Sequence, residues 1–323
     1  MEHKVIILMA TYNGAAFLSK QLDSIISQTH RNWELYIRDD QSTDQTRNLL
    51  EGYVAKDSRI KVLEIEGGHG SPALNFGVLF NHFRPYEADY LMFADQDDIW
   101  YGNKMETSLA YMQTVEQAEQ NNFPLLVYSN FQFVDENGAE IDQELLMPVK
   151  LTLPILLLGN YAYGCTMMLN KALIKQIYNI PSDVAYHDYW IALVASSFGK
   201  AILLPQKLLA YRQHRQNAST NVYSRSLAAR FKRYWYSVKS QLPAMNMQYQ
   251  MIDFFFETYQ QHLNHTSRHI IAGFLKAFRQ SDGSLIDFML RNQFKKVGLW
   301  PTVAQYYLLF RLRKKIKSQP RKF

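Results

Sequence analysis

The chain has 323 residues, of which 47% are hydrophobic and 14% aromatic, and this composition excludes a disordered or collagen-like polymer. Its single cysteine, Cys165, excludes an internal disulfide framework and a cysteine-rich zinc site, so we predict a reducing compartment and a small buried side chain at this position. The net charge of +6 is divided unevenly, because residues 1–204 hold 14 Lys/Arg and 25 Asp/Glu whereas residues 205–323 hold 21 and 4.

Short apolar segments alternate with amphipathic helical segments over the first two hundred residues, a pattern typical of parallel βαβ units. The predicted strands are 5–9, 33–38, 60–65, 90–94, 125–131, 165–169 and 201–204. The predicted helices are 15–28, a segment capped by Ser42 or Asp44, a segment that begins at Ser71-Pro72, a segment from Trp100 to about residue 120 and a short helix after Asp188. These elements predict one large α/β domain.

Two apolar stretches raise the question of a membrane segment. Residues 5–10 are too short for the core of a signal peptide, and no small-residue cleavage site follows them. Residues 151–170 are all uncharged and nominally long enough to span a bilayer. Pro154, Gly159 and Asn160 nevertheless favour a buried loop and strand over a membrane helix. We therefore predict no transmembrane segment.

From about residue 224 onward the sequence is helical in pattern and basic. Basic residues interleave with aromatic ones at Arg230, Phe231, Lys232, Arg233, Tyr234, Trp235, Tyr236 and Lys239. Residues 300–316 have the composition of an amphipathic helix that lies on a membrane surface. We place the domain boundary near residues 205–224, with one domain at 1–215 and a helical basic region at 216–323.

The basic region predicts an anionic partner, either membrane phosphate headgroups or nucleic acid. No RNA-binding or helix-turn-helix signature accompanies it, and the first half of the chain is acidic, so we predict no nucleic-acid partner. The alternative is a helical layer that packs on the first domain or forms a homodimer, with its charge simply solvated.

Three carboxylates, Asp95, Asp97 and Asp98, lie within four positions directly after the apolar run 90–94. Carboxylates crowded at the end of a buried strand repel one another unless a divalent cation, usually shared with a phosphate, lies between them. The pattern therefore predicts a metal ion and a nucleotide diphosphate. The alternative is a solvated acidic turn.

Other polar clusters also follow predicted strands, at Thr11-Tyr12-Asn13, at Asp39-Asp40 and at 67–70 before the third helix. Ligands of an open parallel sheet bind at the carboxyl ends of its strands, where such loops converge. The segment Asn13-Gly14-Ala15-Ala16 lacks the Gly-x-Gly-x-x-Gly turn of a dinucleotide fold, which argues against a nicotinamide dehydrogenase.

An ordered set of motifs over residues 3–217 resembles bacterial family 2 glycosyltransferases. The motifs are Ala10-Thr11-Tyr12-Asn13, Asp39-Asp40-Gln41-Ser42-Thr43-Asp44, Asp95-Gln96-Asp97, His187-Asp188-Tyr189-Trp190 and Tyr211-Arg212-Gln213-His214-Arg215-Gln216-Asn217. The resemblance implies an α/β fold of the GT-A (Rossmann-like) type, a mostly parallel sheet flanked by helices, with a C-terminal helical basic extension. Residues 1–215 would then be the nucleotide-sugar transferase domain.

The resemblance also implies roles for the donor site. Thr11, Tyr12 and Asn13 would line the nucleotide pocket, and Asp40, assisted by Asp39, would accept a hydrogen bond from a pyrimidine base. A carboxylate suits the imide N–H of uracil or thymine. The alternative for this Asp pair is a cap and turn ahead of the second helix. Asn75 and Gly70 would shape the same donor pocket.

For the reacting end of the donor, the resemblance implies that Asp97 binds Mn²⁺ or Mg²⁺ and that Asp95 faces the ribose or the metal. His214 and the nearby Arg212 would contact the diphosphate or the metal. Asp188 would be the base that removes the proton of the acceptor hydroxyl, although a helix N-cap is the alternative for Asp188. Trp100, Tyr189 and Trp190 would either stack on sugar faces or pack in the core.

The segments 93–100 and 187–190 are similar to rhamnosyltransferases that build rhamnose-rich cell-wall polysaccharides of Gram-positive bacteria. The resemblance implies inverting transfer of L-rhamnose from dTDP-L-rhamnose onto a polyprenyl-diphosphate-linked saccharide. The enzyme would be cytoplasmic and peripheral at the inner face of the cell membrane. Two alternatives stay open: a family 2 transferase that uses a UDP-hexose or UDP-N-acetylhexosamine, and a non-catalytic nucleotide-sugar-binding scaffold subunit.

Overall fold

The computed structural model describes residues 3–66, 70–83, 88–119, 122–182, 184, 186–214 and 227–317, with only the backbone described for 227–240 and 317. The motif residues 67–69 and 215–217 and the side chains of the basic segment 230–239 lie outside these described residues. The chain forms two compact units, one of Met1–Leu151 with Tyr161–Ser219 and one of Thr152–Asn160 with Thr220–Phe323.

The described part of the first unit contains an eight-stranded mixed sheet. Its strands are β1 (Val5–Thr11), β2 (Trp33–Asp39), β3 (Ile60–Val62), β4 (Tyr90–Ala94), β5 (Ile99–Trp100), β6 (Leu125–Val134), β7 (Met167–Asn170) and β8 (Lys200–Arg212). Their order is β3-β2-β1-β4-β7-β6-β8-β5. The first four are parallel, β6 and β8 are parallel, and β7 and β5 run antiparallel to their neighbours. This confirms the GT-A-like α/β fold, with parallel pairing in β3-β2-β1-β4 and between β6 and β8.

The described helices span both units. They are α1 (Ala15–Ile26), α2 (Thr46–Lys56), α3 (Pro72–Phe83), α4 (Lys104–Ala118), α5 (Leu153–Leu156), α6 (Lys171–Gln176), α7 (His187–Phe198), α8 (Leu227–Tyr259), α9 (His265–Gln280), α10 (Asp282–Arg291) and α11 (Leu299–Lys317). In the first unit α1, α2 and α4 pack on one face of the sheet, whose core includes Leu22, Met9 and Met105. Helix α3 packs on β1 and on α7, and its Phe76 ring meets Phe93 of β4 at a 5.7 Å centroid distance. The sheet therefore lies between two helical layers.

Two strand predictions need correction. The predicted strand 201–204 continues through Pro205 to Arg212, because the pairing of β8 with β6 shifts register after Ser129 and accommodates the extra residues. The predicted strand 165–169 begins later, since Gly164–Thr166 form a turn of 3₁₀ helix before β7. The two regions include Arg212, at the end of β8, and Gly164, in the 3₁₀ turn.

The second unit is helical in its described part. Helices α5, α8 and α10 pack on α9, and α11 packs on α8. The core between them is apolar and aromatic, with Phe255, Ile271, Phe274, Leu285, Met289 and Leu312 all buried. Two ion pairs tie helices together, Arg279 to Asp253 at 2.5 Å and Arg313 to Asp282 at 2.5 Å. Among the described residues, no helix combines the length and the apolar character needed to cross a bilayer.

Candidate active site

The polar clusters predicted from the sequence meet at one edge of the sheet. Strand β1 lies between β2 and β4, and the parallel register pairs Thr11 with Asp39 and Met9 with Ala94. Asp95 therefore begins the loop beside the end of β1. The chain connects β1 to β2 on one side and reaches β4 on the other, so this edge is the topological switch point at which open α/β sheets bind ligands.

Asp39 organises the loops around the predicted nucleotide pocket. The Thr11 hydroxyl donates to Asp39 Oδ1 at 2.8 Å, and the Ser42 hydroxyl donates to the same oxygen at 2.6 Å. The Ser42 N–H and Arg47 Nε donate to Asp39 Oδ2 at 2.9 and 3.0 Å. With both oxygens engaged and only 4% of its side chain exposed, Asp39 positions the pocket wall.

Asp40 and Asn75 form a second layer of contacts around Arg38, a residue that the sequence analysis did not select. Asp40 Oδ1 lies 3.7 Å from Arg38 Nη1, and Asp40 Oδ2 accepts from the Gly70 N–H at 3.0 Å. Arg38 Nη1 donates to Asn75 Oδ1 at 2.7 Å, and Asn75 Nδ2 donates to the Thr11 carbonyl at 3.3 Å. Asn75 is 2% exposed, so it supports the pocket from beneath.

The predicted nucleotide loop is attached to the acidic motif through Gln96. Gln96 Oε1 accepts from the Tyr12 N–H at 2.9 Å, and Gln96 Nε2 donates to the Tyr12 carbonyl at 3.0 Å. A Cβ on Gly14 would lie 2.2 Å from Gln96 Oε1, so a larger residue at position 14 would displace the Gln96 amide from the Tyr12 backbone. Asn13 has a φ of +47° and donates its N–H to the Ser42 hydroxyl at 2.8 Å, while Tyr12 is 56% exposed. The loop is therefore held by its backbone, with the Tyr12 ring presented outward.

The structure brings Asp97 and His214 together. His214 Nε2 lies 2.7 Å from Asp97 Oδ2, although the two residues are 117 positions apart. The Phe17 ring packs on His214 at 4.6 Å. Arg212 Nε donates to the Asp97 carbonyl at 2.7 Å and Nη1 to the Glu136 carbonyl at 2.8 Å. Because Arg212 is 0% exposed, it fixes the Asp97 backbone, which differs from the direct donor contact expected for it.

Asp95 belongs to a second cluster, with Asp98 and Cys165, whose ligand atoms all lie within 4.8 Å of one another. Burial and the Asp97 charge raise the pKa of Asp95 to about 7, and the Asp188 charge adds to this shift. Burial and the charges of Asp97 and Asp95 raise the pKa of Asp98 well above its usual range. The crowding inferred from the sequence is thus a property of the folded chain.

A buried lysine lies beside this cluster. Lys104 is 0% exposed, donates to the Cys165 carbonyl and stands 4.1 Å from the centroid of the Trp100 ring. Burial lowers the pKa of Lys104 to about 8, and Cys165, Asp98 and Asp95 oppose that shift. Sequence analysis missed Lys104, because one lysine at a helix start carries no signal without the tertiary contacts.

The residues fit a divalent cation. Asp98 Oδ2 is buried with no hydrogen-bond partner among the described residues, and the raised pKa values of Asp95 and Asp98 reflect burial and repulsion between carboxylates that Lys104 only partly offsets. Carboxylate oxygens with one imidazole nitrogen suit Mn²⁺ well, and carboxylates also suit Mg²⁺. Asp95, Asp97 and His214 are the residues of this edge that would hold the ion.

Asp188 lies on the first turn of α7, after the N-cap residue Tyr186, so it is not itself the cap. Its Oδ2 accepts from the Gly164 N–H at 3.2 Å and its Oδ1 from the Tyr189 N–H at 2.6 Å. A Cβ on Gly164 would lie 2.7 Å from the buried His187 Nε2, so glycine at this position allows the 3₁₀ turn to lie close to the start of α7. The 3₁₀ turn before β7 therefore orients the Asp188 carboxylate.

Three aromatic residues lie near these motifs but do not reach the surface. Trp100, Tyr189 and Trp190 are 2%, 1% and 0% exposed. Of the two interpretations given for them, core packing is the one that the structure supports.

Comparisons with known proteins agree with this fold. A family model described as "Glycosyl transferase family 2" matches residues 6–130. The chain is 30% identical over 239 residues to the UDP-Glc:alpha-D-GlcNAc-diphosphoundecaprenol beta-1,3-glucosyltransferase WfgD of Escherichia coli, covering 72% of this chain and 85% of WfgD. It is 26% identical over 238 residues to the dTDP-rhamnosyl transferase RfbG of Shigella flexneri, covering 70% and 77%.

A solved structure supports the fold. The mannosyltransferase PcManGT from Pyrobaculum calidifontis, in complex with GDP-Man and Mn²⁺, aligns with a TM-score of 0.53 at 14% identity, covering 98% of this chain and 88% of that one. The sheet, the acidic cluster at its edge and the relatives together define a glycosyltransferase of GT-A-like fold. The chain belongs to glycosyltransferase family 2.

Proposed function

We propose that this chain transfers a sugar, L-rhamnose, from a pyrimidine nucleotide diphosphate donor to a hydroxyl of a lipid-linked saccharide in polysaccharide synthesis. One observation carries the proposal: His214 Nε2 contacts Asp97 Oδ2 at 2.7 Å, and Asp95, directly after β4, lies close enough to Asp97 and Asp188 for their charges to raise its pKa. Transfer of a sugar from a nucleotide diphosphate to an alcohol requires two things. A metal ion stabilises the departing diphosphate, and a carboxylate base accepts the proton of the alcohol.

The donor base is assigned to the pocket that Thr11, Asp39 and Asp40 surround. Asp40 would accept the imide N–H of the pyrimidine, and Asp39 and Asn75 keep the two strand ends at fixed spacing. The Tyr12 ring, exposed on its loop, would cover the nucleotide. Gln96 links this base-binding loop to the turn that carries Asp95 and Asp97.

At the other end of the donor, the bond between the sugar carbon and the diphosphate oxygen must break. A divalent ion held by Asp95, Asp97 and His214 would supply stabilisation for the negative charge that develops on the departing diphosphate. Arg212 contributes by fixing the Asp97 backbone, and the Phe17 ring fixes His214.

Asp188 is assigned as the base. It would accept the proton of the acceptor hydroxyl as the oxygen attacks the anomeric carbon, and the leaving group departs from the opposite face, which inverts that centre. The two N–H groups of Gly164 and Tyr189 hold the carboxylate in one orientation. A non-catalytic scaffold would not need this arrangement.

The donor is the first property to test. RfbG is named as a dTDP-rhamnosyl transferase and WfgD as a glucosyltransferase that uses UDP-Glc, so both sugars belong in the screen. We expect turnover with dTDP-L-rhamnose in the presence of Mn²⁺. Turnover with UDP-glucose or UDP-N-acetylglucosamine but not with dTDP-L-rhamnose would reject the rhamnose donor and favour the UDP-sugar alternative. No turnover or hydrolysis of any donor, despite nucleotide binding, would favour the scaffold subunit.

The acceptor is the second property. The name of WfgD specifies a diphosphoundecaprenol-linked sugar, and residues 205–323 of this chain hold 21 Lys/Arg against 4 Asp/Glu. We propose a polyprenyl-diphosphate-linked saccharide acceptor, reached from the cytoplasmic face of an anionic membrane. Flotation with phosphatidylglycerol vesicles tests the membrane part, and light scattering tests the alternative that the basic helices form a homodimer.

A further inference from the structure

An open groove of about 570 Å³ lies between α9 and α10 in the second unit. One side is a basic stripe along α9, with His265, Arg268, His269 and Lys276 spaced three, four or seven residues apart so that they share a helical face. The rings of His265 and His269 are parallel, with centroids 6.5 Å apart. The opposite side comes from α10.

The floor of the groove depends on small residues. Gly273 of α9 lies against the Phe288 ring of α10, where a Cβ would come within 2.3 Å of a ring carbon. Ala272 and Ala277 continue this floor, and Ser284 of α10 adds a hydroxyl at the side. The result is a depression with cations along one wall, which differs from a convex, solvated helix face.

Three of the four carboxylates of this region are paired with arginines outside the stripe. Residues 205–323 contain four acidic residues, Asp253, Glu257, Asp282 and Asp287. Asp253 pairs with Arg279, Asp282 with Arg313, and Asp287, which lines the groove, with Arg291 at 2.8 Å. Within the described part of the chain, no carboxylate lies in ion-pair distance of His265, Arg268, His269 or Lys276.

A concave wall that carries the charges of Arg268 and Lys276, with hydroxyl and aromatic groups opposite, matches an anion that carries several acceptor oxygens. Arg268 and Lys276 lie about 12 Å apart along the helix axis, at a rise of about 1.5 Å per residue, and their long side chains reach one ligand only if it offers acceptor oxygens in several directions, as a phosphate or diphosphate does. We propose that the groove between α9 and α10 binds the phosphate or diphosphate group of a ligand, with Arg268 and Lys276 as its principal contacts.

Two sources supply this chemistry: the headgroups of an anionic bilayer, and the diphosphate of a soluble or acceptor-derived ligand. The choice of source rests on the proposed function, whereas the phosphate site does not. The test therefore measures binding without turnover, using full-length protein in EDTA so that metal-dependent binding of diphosphate at the strand ends does not contribute. The probes are inorganic pyrophosphate, measured by calorimetry, and vesicles of phosphatidylglycerol or phosphatidylcholine, measured by flotation.

The test variant is R268E/K276E, and its charge-matched control is K20E/K175E, which reverses two exposed lysines of the first unit. We expect the test variant to lose at least about tenfold in affinity for pyrophosphate, for phosphatidylglycerol vesicles, or for both, since each basic group near such a surface contributes measurably. The control and the charge-preserving variant R268K/K276R should bind as the parent protein does.

Loss for pyrophosphate alone would assign the site to a free or acceptor diphosphate, and loss for vesicles alone would assign it to lipid headgroups. Equal losses in the test variant and the control would show a general charge effect and overturn the proposal, as would binding unchanged in both. Thermal melting and UDP binding with Mn²⁺ must be unchanged in the test variant, which separates failure of this site from failure of the proposed transferase site.

Discussion

The two units use charge in opposite ways. In the first unit, buried and half-buried acidic groups meet at the strand ends, and several are fixed by backbone or side-chain bonds, as Asp188 is by Gly164 and Tyr189. In the second unit, basic groups lie on exposed helix faces, and acidic groups are few. The first arrangement depends on exact placement and the second on the sum of charges. We therefore expect single substitutions to cost orders of magnitude in the first unit and small factors in the second.

The largest effect is expected at the base. Asp188→Asn keeps the shape of the side chain but removes its capacity to accept a proton, so kcat should fall by about 10³. Nucleotide and metal binding should remain, because Asp188 is assigned to the acceptor side. Asp142→Asn, which changes an exposed carboxylate of the same unit, is the control. A loss of less than about fivefold in the Asp188 variant would reject it as the base.

The metal cluster is expected to come next. Asp97→Asn removes one proposed ligand and the anionic partner of His214, so Mn²⁺ affinity should drop by about 10² and turnover should fall with it. Electron paramagnetic resonance of Mn²⁺ titrations measures the binding directly. EDTA treatment of the parent protein should abolish transfer, and added Mn²⁺ should restore it. Unchanged Mn²⁺ binding in the variant would contradict the assignment.

A smaller effect is expected at the link between the nucleotide loop and the acidic turn. In Gly14→Ala, the new Cβ would displace Gln96 from the Tyr12 backbone, and nucleotide affinity should weaken by about tenfold. Gln96→Ala should do the same, and the double variant should be no worse than either single one, because both break one contact. Additive losses would show that the two residues act separately.

In the second unit, a single charge should matter less. Lys314 is exposed on α11, and Lys314→Gln should lower affinity for phosphatidylglycerol vesicles by about fivefold, since one basic group near such a surface contributes about 1 kcal/mol. Turnover on a short soluble acceptor should stay at the parent level. The control Lys20→Gln removes an exposed charge from the first unit. Equal effects of the two substitutions would remove the contrast between the units.

The smallest effect concerns pH and the buried His187. Burial lowers the pKa of His187 to about 3, so the folded state binds fewer protons than the unfolded state below about pH 6.5. The contribution of His187 to stability is therefore full above about pH 6.5 and decreases as the pH falls towards 3. His187→Leu should reduce the decrease in Tm between pH 7 and pH 5 by a few degrees. Identical decreases in both proteins would contradict this account.

The sequence allowed some parts of the site to be predicted because their signals are local. The apolar run 90–94 followed by Asp95, Asp97 and Asp98 is such a signal, and so is the Ser71-Pro72 helix start. The contact of His214 with Asp97 spans 117 positions and was accessible only through resemblance to a family.

Other parts had no local signal. Arg38 and Lys104 act through partners on other elements, and nothing in their own neighbourhoods distinguishes them from surface residues. Gln96 lies within the motif Asp95-Gln96-Asp97, but its hydrogen bond to the Tyr12 backbone has no signal in the sequence. Strand β8 was cut short in the prediction because Pro205 normally ends a strand, while the register shift that admits it depends on β6.

Lys104 bears on how the chain folds. Its ammonium group is enclosed beside Asp95 and Asp98, so part of the local negative charge is balanced from within the polypeptide. This internal counter-charge accompanies the acidic cluster from the moment the first unit folds, and we therefore expect the chain to reach its native state without a bound ion.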